Sequence, residues 1–184
     1  MGRRLAGHIL LILLGVAVGY TINWQPDIGI FENKDRALGC SADAIISPGA
    51  GGRMVSIIGS AESTIHIILF EFSYPDLKEA LVNAVARGVE VKLLLDPKVS
   101  QNLDTAEFLK GKGVQVRWSS PRFNYTHAKT AIIDGRKVLA GSINWSRNAM
   151  TRNREIGVLV EDAQLAQELE GVFLQDWREG LEVR

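Results

Sequence analysis

TIHIILFEFSYPDLKEALVNAVARGVEVKLLLD, residues 64–96, is the stretch whose reading decides the fold. Thr64 to Phe72 is rich in β-branched and aromatic residues, the composition of a buried strand. Pro75 suits the first turn of a helix running to Arg87, with Leu77, Leu81, Val82 and Val85 on one face and Gly88 as its stop. Val89 to Leu95 is a second apolar strand, ended by Asp96-Pro97. Working outward, Met54, Ile57 and Ile58 recur at helical spacing within 53–61, after the glycine-rich turn 48–52. A shorter helix at 105–110 leads through Gly111 and Gly113 into a strand at 114–118. This alternation predicts an α/β domain with a mixed, mainly parallel β-sheet flanked by helices. The pattern then changes. Ala128 to Ile133, the Asp134-Gly135 turn and Lys137 to Ala140 read as a β-hairpin, and 155–160 as a further strand. A closing helix is predicted over 162–177, with Leu165, Leu169, Val172 and Phe173 facing inward. His66, inside the first apolar strand, reads as a core histidine.

The ends and the charge pattern bound the function. Arg3 and Arg4 precede Leu5 to Ile22, a stretch without Asp, Glu, Lys or Arg, so residues 1–24 read as a signal peptide or an N-terminal membrane anchor. By the positive-inside rule either reading sends the domain across a bacterial-type membrane, leaving it periplasmic or membrane-anchored and facing away from the cytoplasm, whereas an organelle anchor could orient it otherwise. Residues 25–43 read as a linker and 44–184 as one domain. Cys40 is the single cysteine, which excludes an intramolecular disulfide. Charged residues between the apolar run and Cys40 argue against its lipidation. The chain has no net formal charge, yet nine basic side chains face two acidic ones between Lys112 and Glu155. A basic stretch on an otherwise acidic body suits an anionic substrate such as nucleic acid or phospholipid.

That stretch contains His127-Ala-Lys129-Thr-Ala-Ile-Ile-Asp134, then Gly141-Ser142-Ile-Asn144, then Asn153-Arg-Glu155. On a strand, side chains two residues apart project from one face, which brings an imidazole beside an ammonium. A nucleophile beside a cation, with hydroxyl and amide donors following, fits attack on a phosphodiester. Asp134, next to Gly135 at a turn, reads as structural. No zinc or calcium ligand set is legible, so neither a metal nor a cofactor is expected.

The constellation H-x-K-x4-D-x6-G-S-x-x-N, followed by N-x-E, resembles the phospholipase D superfamily signature. The likeness extends back to Ser47-Pro48 and so covers residues 44–178. It implies a metal-independent phosphodiesterase working through a phosphohistidine. Lys129 and Asn144 would bind the non-bridging oxygens with help from Ser142. Glu155 would accept a hydrogen bond from the far nitrogen of His127. Gly141 belongs to the motif, and Arg122 is a candidate second phosphate contact. Like the family's small bacterial endonucleases and mitochondrial members, the chain has one motif, where phospholipases D with long chains have two. The resemblance therefore implies a two-fold homodimer. A nuclease acting on DNA or RNA is the leading expectation, and an enzyme hydrolysing or transferring a phosphatidyl group is the alternative. A non-catalytic nucleic-acid-binding module would be expected to lack His127 or Lys129. A basic groove from Arg117, Arg122, Arg147 and Arg152 would mark a nuclease, and an apolar rim a lipid enzyme. Trp118, Phe123, Tyr125 and Trp145 flank the motif as stacking or packing residues.

Overall fold

The computed structural model describes residues 41–184. The leader or anchor, most of the linker and Cys40 lie outside that range. The described elements are β1 (Ser41–Ser47), α1 (Gly51–Gly59), β2 (Thr64–Leu69), α2 (Pro75–Ala86), β3 (Glu90–Leu95), α3 (Gln101–Gly111) and β4 (Gln115–Trp118). They continue with β5 (Lys129–Ile133), β6 (Lys137–Gly141), α4 (Arg147–Thr151), β7 (Glu155–Glu161), α5 (Ala163–Glu179) and β8 (Leu181–Glu182).

The eight strands among the described residues form one sheet in the order β1-β7-β6-β5-β2-β3-β4-β8. The sheet is mixed, as expected, but it is not mainly parallel. Only β2–β3 and β3–β4 pair in parallel, and the other five pairings are antiparallel. The reason lies in the connections. Helical crossovers α2 and α3 return the chain in the same direction, whereas short turns and loops around β5, β6 and β7 reverse it. Strand β1 begins at Ser41, so residues 41–43 of the expected linker belong to the sheet. Only Ile45 and Ser47 of β1 are buried, and an edge strand with so little buried face leaves a weak pattern in the sequence.

Period-two alternation divides β2 between two cores. Ile65, Ile67 and Leu69 join the larger core with α1, α2 and α3 residues such as Ile58, Leu81 and Leu109. Ile68 faces the other side, with Leu94, Ile132, Val138 and, from α5, Ala166 and Phe173. His66 is on this second side, 6% exposed. Its ring stacks on Phe173 at 4.6 Å, and Nδ1 lies 2.5 Å from Glu170 Oε1. The inner stripe of α5 departs from expectation at Val172, which is exposed. Asp162 caps α5 by accepting the backbone N–H groups of Gln164 and Leu165.

The β5–β6 turn has Asp134 at φ 52° and Gly135 at φ 60°, the left-handed pair of a tight hairpin turn. The Asp134 carboxylate accepts N–H bonds from Glu62, Ser63 and Thr64 at 2.8–3.2 Å and the Ser63 hydroxyl at 2.9 Å. It thereby ties the hairpin to the start of β2. Burial alone would raise its pKa, but these donors outweigh it and hold the carboxyl below the usual aspartate range. A lowered folded pKa contributes stability above the unfolded value of ~3.9 that is lost as pH falls through the folded pKa. Asp134→Asn should therefore melt below wild type at neutral pH. The gap between the two melting curves should close as the buffer is taken below the pKa of the folded carboxyl. A gap independent of pH would assign the loss to geometry alone.

Candidate active site

The site forms where β2 and β3 end and β5 begins, the strand ends at which α/β sheets gather functional groups. Two buried polar side chains fix this rim. Asn102 donates to Phe70 O and Asp96 O, each at 2.8 Å, and accepts Phe72 N–H at 2.9 Å. Asp96 accepts Lys98 N–H at 2.8 Å and Thr126 N–H at 2.6 Å, anchoring the residue before His127. His127 itself is exposed and precedes β5 rather than lying within it. Its ring packs against Phe70, with centroids 4.4 Å apart.

Lys129 is 9% exposed. Its ammonium donates to His127 O at 2.7 Å and lies 3.0 Å from His127 Nδ1. Burial pushes the Lys129 ammonium's pKa down, while Glu155 and Glu71 pull it back up. Ser142 donates to Glu155 at 2.5 Å, and Asn153 Nδ2 donates to the other carboxylate oxygen at 3.2 Å. Within one chain Glu155 is therefore held by Ser142 and Asn153, not by the far nitrogen of His127. Asn144 donates to Glu71 at 3.3 Å.

Gly141 is in the motif for a steric reason. A Cβ there would stand 2.4 Å from Ile156 O and 2.5 Å from Gly157 Cα, so β6 and β7 approach each other only without it. His127, Lys129, Gly141, Ser142, Asn144 and Glu155 together line an open cavity of about 410 Å³. A larger cavity of about 620 Å³, bordered by Leu103, Trp118 and the last residues of the chain, contains none of these groups. The motif residues gather at the smaller one.

Arg122 is not among the lining residues. Within one chain it is paired with Glu179 at 2.9 Å and Asp176 at 3.5 Å, not with the residues that line the pocket. Arg117 donates to Trp177 O and stacks on that indole, so it adds nothing to a basic groove at this site. Arg147 and Arg152 are exposed on and beside α4. Trp145 is a core residue at 1% exposure, in edge contact with Phe72. Sequence reasoning missed Phe70, Glu71, Asp96 and Asn102. A signal existed for Glu71: it is the one acid within the apolar run 64–72. Among the described residues, no group of three or more His, Cys, Asp or Glu side chains is arranged to hold a metal ion.

An imidazole beside a buried ammonium, ringed by hydroxyl and amide donors in an open pocket, defines a site for an anionic group exposed to a nucleophile. The chain belongs to the phospholipase D superfamily: residues 54–177 match the family described as cardiolipin synthase, PLD-like domain. It is 30% identical over 142 residues to a mitochondrial cardiolipin hydrolase of Mus musculus, covering 77% of this chain and 64% of that one. A phospholipase D of Rickettsia conorii is 34% identical over 121 residues, covering 65% and 58%. The chain thus spans less than two thirds of either relative's length. Among solved structures, Nuc of Salmonella typhimurium, a phospholipase D family member, superposes with a TM-score of 0.75 at 30% identity. That match covers 79% of this chain and 99% of Nuc. NucT of Helicobacter pylori, at 21% identity and a TM-score of 0.69, shares the fold.

Proposed function

We propose that this domain is a phosphodiesterase that hydrolyses nucleic acid through a phosphohistidine on His127, working as a two-fold homodimer. The His127 imidazole attacks phosphorus, and the P–O bond to the leaving alkoxide breaks as the N–P bond forms. Lys129, with Asn144 and Ser142, stabilises the charge on the non-bridging oxygens. An alkoxide is a poor leaving group near neutral pH and needs a proton. The partner's His127 donates it, then accepts one from the water that releases the phosphoryl group from the first histidine. One chain has one such histidine, so the reading requires a second copy. A leader or anchor at residues 1–24 would place this chemistry outside the cytoplasm.

The observation that favours nucleic acid is an aromatic edge beside the nucleophile. Phe70, packed on His127, meets Tyr125 edge-on at 6.0 Å. Tyr125 is 55% exposed, and the Lys98 ammonium stands 5.0 Å from its ring centroid. Exposed rings backed by cations suit unstacked bases flanking a phosphate. The phospholipid alternative is supported by the names of the mouse and rickettsial relatives and by exposed Ile46, Ile156 and Val158. Purified protein should be offered single-stranded oligonucleotide, plasmid and phosphatidyl-lipid vesicles, all with EDTA. Cleavage of nucleic acid in chelator is expected. Turnover of vesicles alone would favour the lipid reading, and activity restored only by added Mg²⁺ would remove the phosphohistidine route.

A further inference from the structure

Glu71 is a carboxylate at a site that must receive an anion, and the chemistry above leaves it unused. It is half-buried just beyond β2. Its carbonyl accepts Trp145 N–H at 3.0 Å, while Ser73 N–H and Tyr74 N–H both donate to Trp145 O at 2.8 Å. Phe72 and Trp145 form an isolated parallel bridge. Residues 71 and 144 are therefore held side by side by backbone pairing, independently of the 3.3 Å bond between their side chains.

An ionised carboxylate only accepts hydrogen bonds, whereas an amide has a donor end and an acceptor end. Glu71 can face only the NH₂ end of Asn144. That leaves the second N–H of the same nitrogen for another acceptor, while Asn144 Oδ1 is buried without a partner. If the amide turned over, its oxygen would oppose Glu71 and its donor would be displaced.

We propose that Glu71 is a positioning residue that acts through Asn144, fixing which end of that amide serves the anion. The proposal rests on the phosphodiesterase reading of the pocket. It also gives the carboxylate a reason to stay near an anion site. Beside Lys129, which His127 and Glu155 also face, Glu71 opposes the effect of burial on the ammonium.

The test is a double-mutant cycle. Glu71→Gln keeps the size but presents either end of an amide to Asn144. It should lower kcat about tenfold, the scale of one lost hydrogen bond to a charged group. In an Asn144→Ala background the same change should have less than about a twofold effect. Equal losses in both backgrounds, or no loss in either, would overturn the proposal. Should Glu71→Gln fail to match the wild-type melting temperature, Glu71→Ser replaces it in the cycle. The ¹⁵N resonance of the Asn144 side-chain NH₂ gives a readout independent of turnover. It should move in Glu71→Gln and respond to inorganic phosphate in wild type, and an unmoved NH₂ pair rejects the contact whatever the substrate. A wild-type protein inactive on every phosphodiester, with that resonance moving as expected, would instead reject the enzymatic reading.

Discussion

His127→Ala is expected to abolish phosphodiester cleavage, by roughly 10³-fold or more, while leaving the melting temperature within error of wild type. The size of the loss follows from its role. In the proposed mechanism, removing the group that forms the covalent intermediate leaves only binding and charge stabilisation. Retention of the fold follows from its place: the ring is exposed and precedes β5, so no core packing is lost. Single-turnover assays and a thermal melt on the same preparation check both halves. Residual activity within tenfold of wild type would move the nucleophile elsewhere.

Lys129→Met should cost about 10²–10³ in kcat/KM, the scale seen when one preorganised donor to a developing anion is removed. Methionine approximates the buried stem but brings no charge. The ammonium now sits against His127 O at 2.7 Å and interacts favourably with Glu155 and Glu71. Without it, the Glu155 carboxylate that lines the pocket loses its nearby cation, so the substrate anion meets repulsion. Weaker inhibition by inorganic phosphate should accompany the slower reaction. A loss below tenfold would reduce Lys129 to a buried structural cation.

Local signals were legible and distant ones were not. The β2–α2–β3 unit follows from Pro75, Gly88 and two apolar runs, all within one window of sequence. The hairpin follows from Asp134-Gly135, and helix α5 begins at its Asp162 cap. Strand β8 has two residues, both exposed, and β1 buries only two, so neither has a face for a pattern to mark. Beyond the β5–β6 hairpin, antiparallel pairing left no local mark, because β1–β7, β2–β5 and β4–β8 join strands that are far apart in the sequence.

The same division applies to the site. His127, Lys129, Ser142, Asn144 and Glu155 stand at fixed offsets, and the fold brings them to one cavity. Arg122 looked available because Glu179, its partner, is 57 residues away. Glu71 and Asn144 meet across 73 residues, and Asp96 reaches Thr126 across 30, so each pairing needed the sheet order before it could be seen.

The central claim is that two copies of His127 act on one phosphorus. Differently tagged wild-type and His127→Ala chains, co-expressed and purified through both tags, give a dimer with a single His127. In such a dimer a single turnover cannot be completed, because nucleophile and general acid are the same residue type drawn from different chains. The account predicts activity near the level of the double mutant. About half the wild-type rate from that mixed dimer would mean that each chain works alone, and would contradict it.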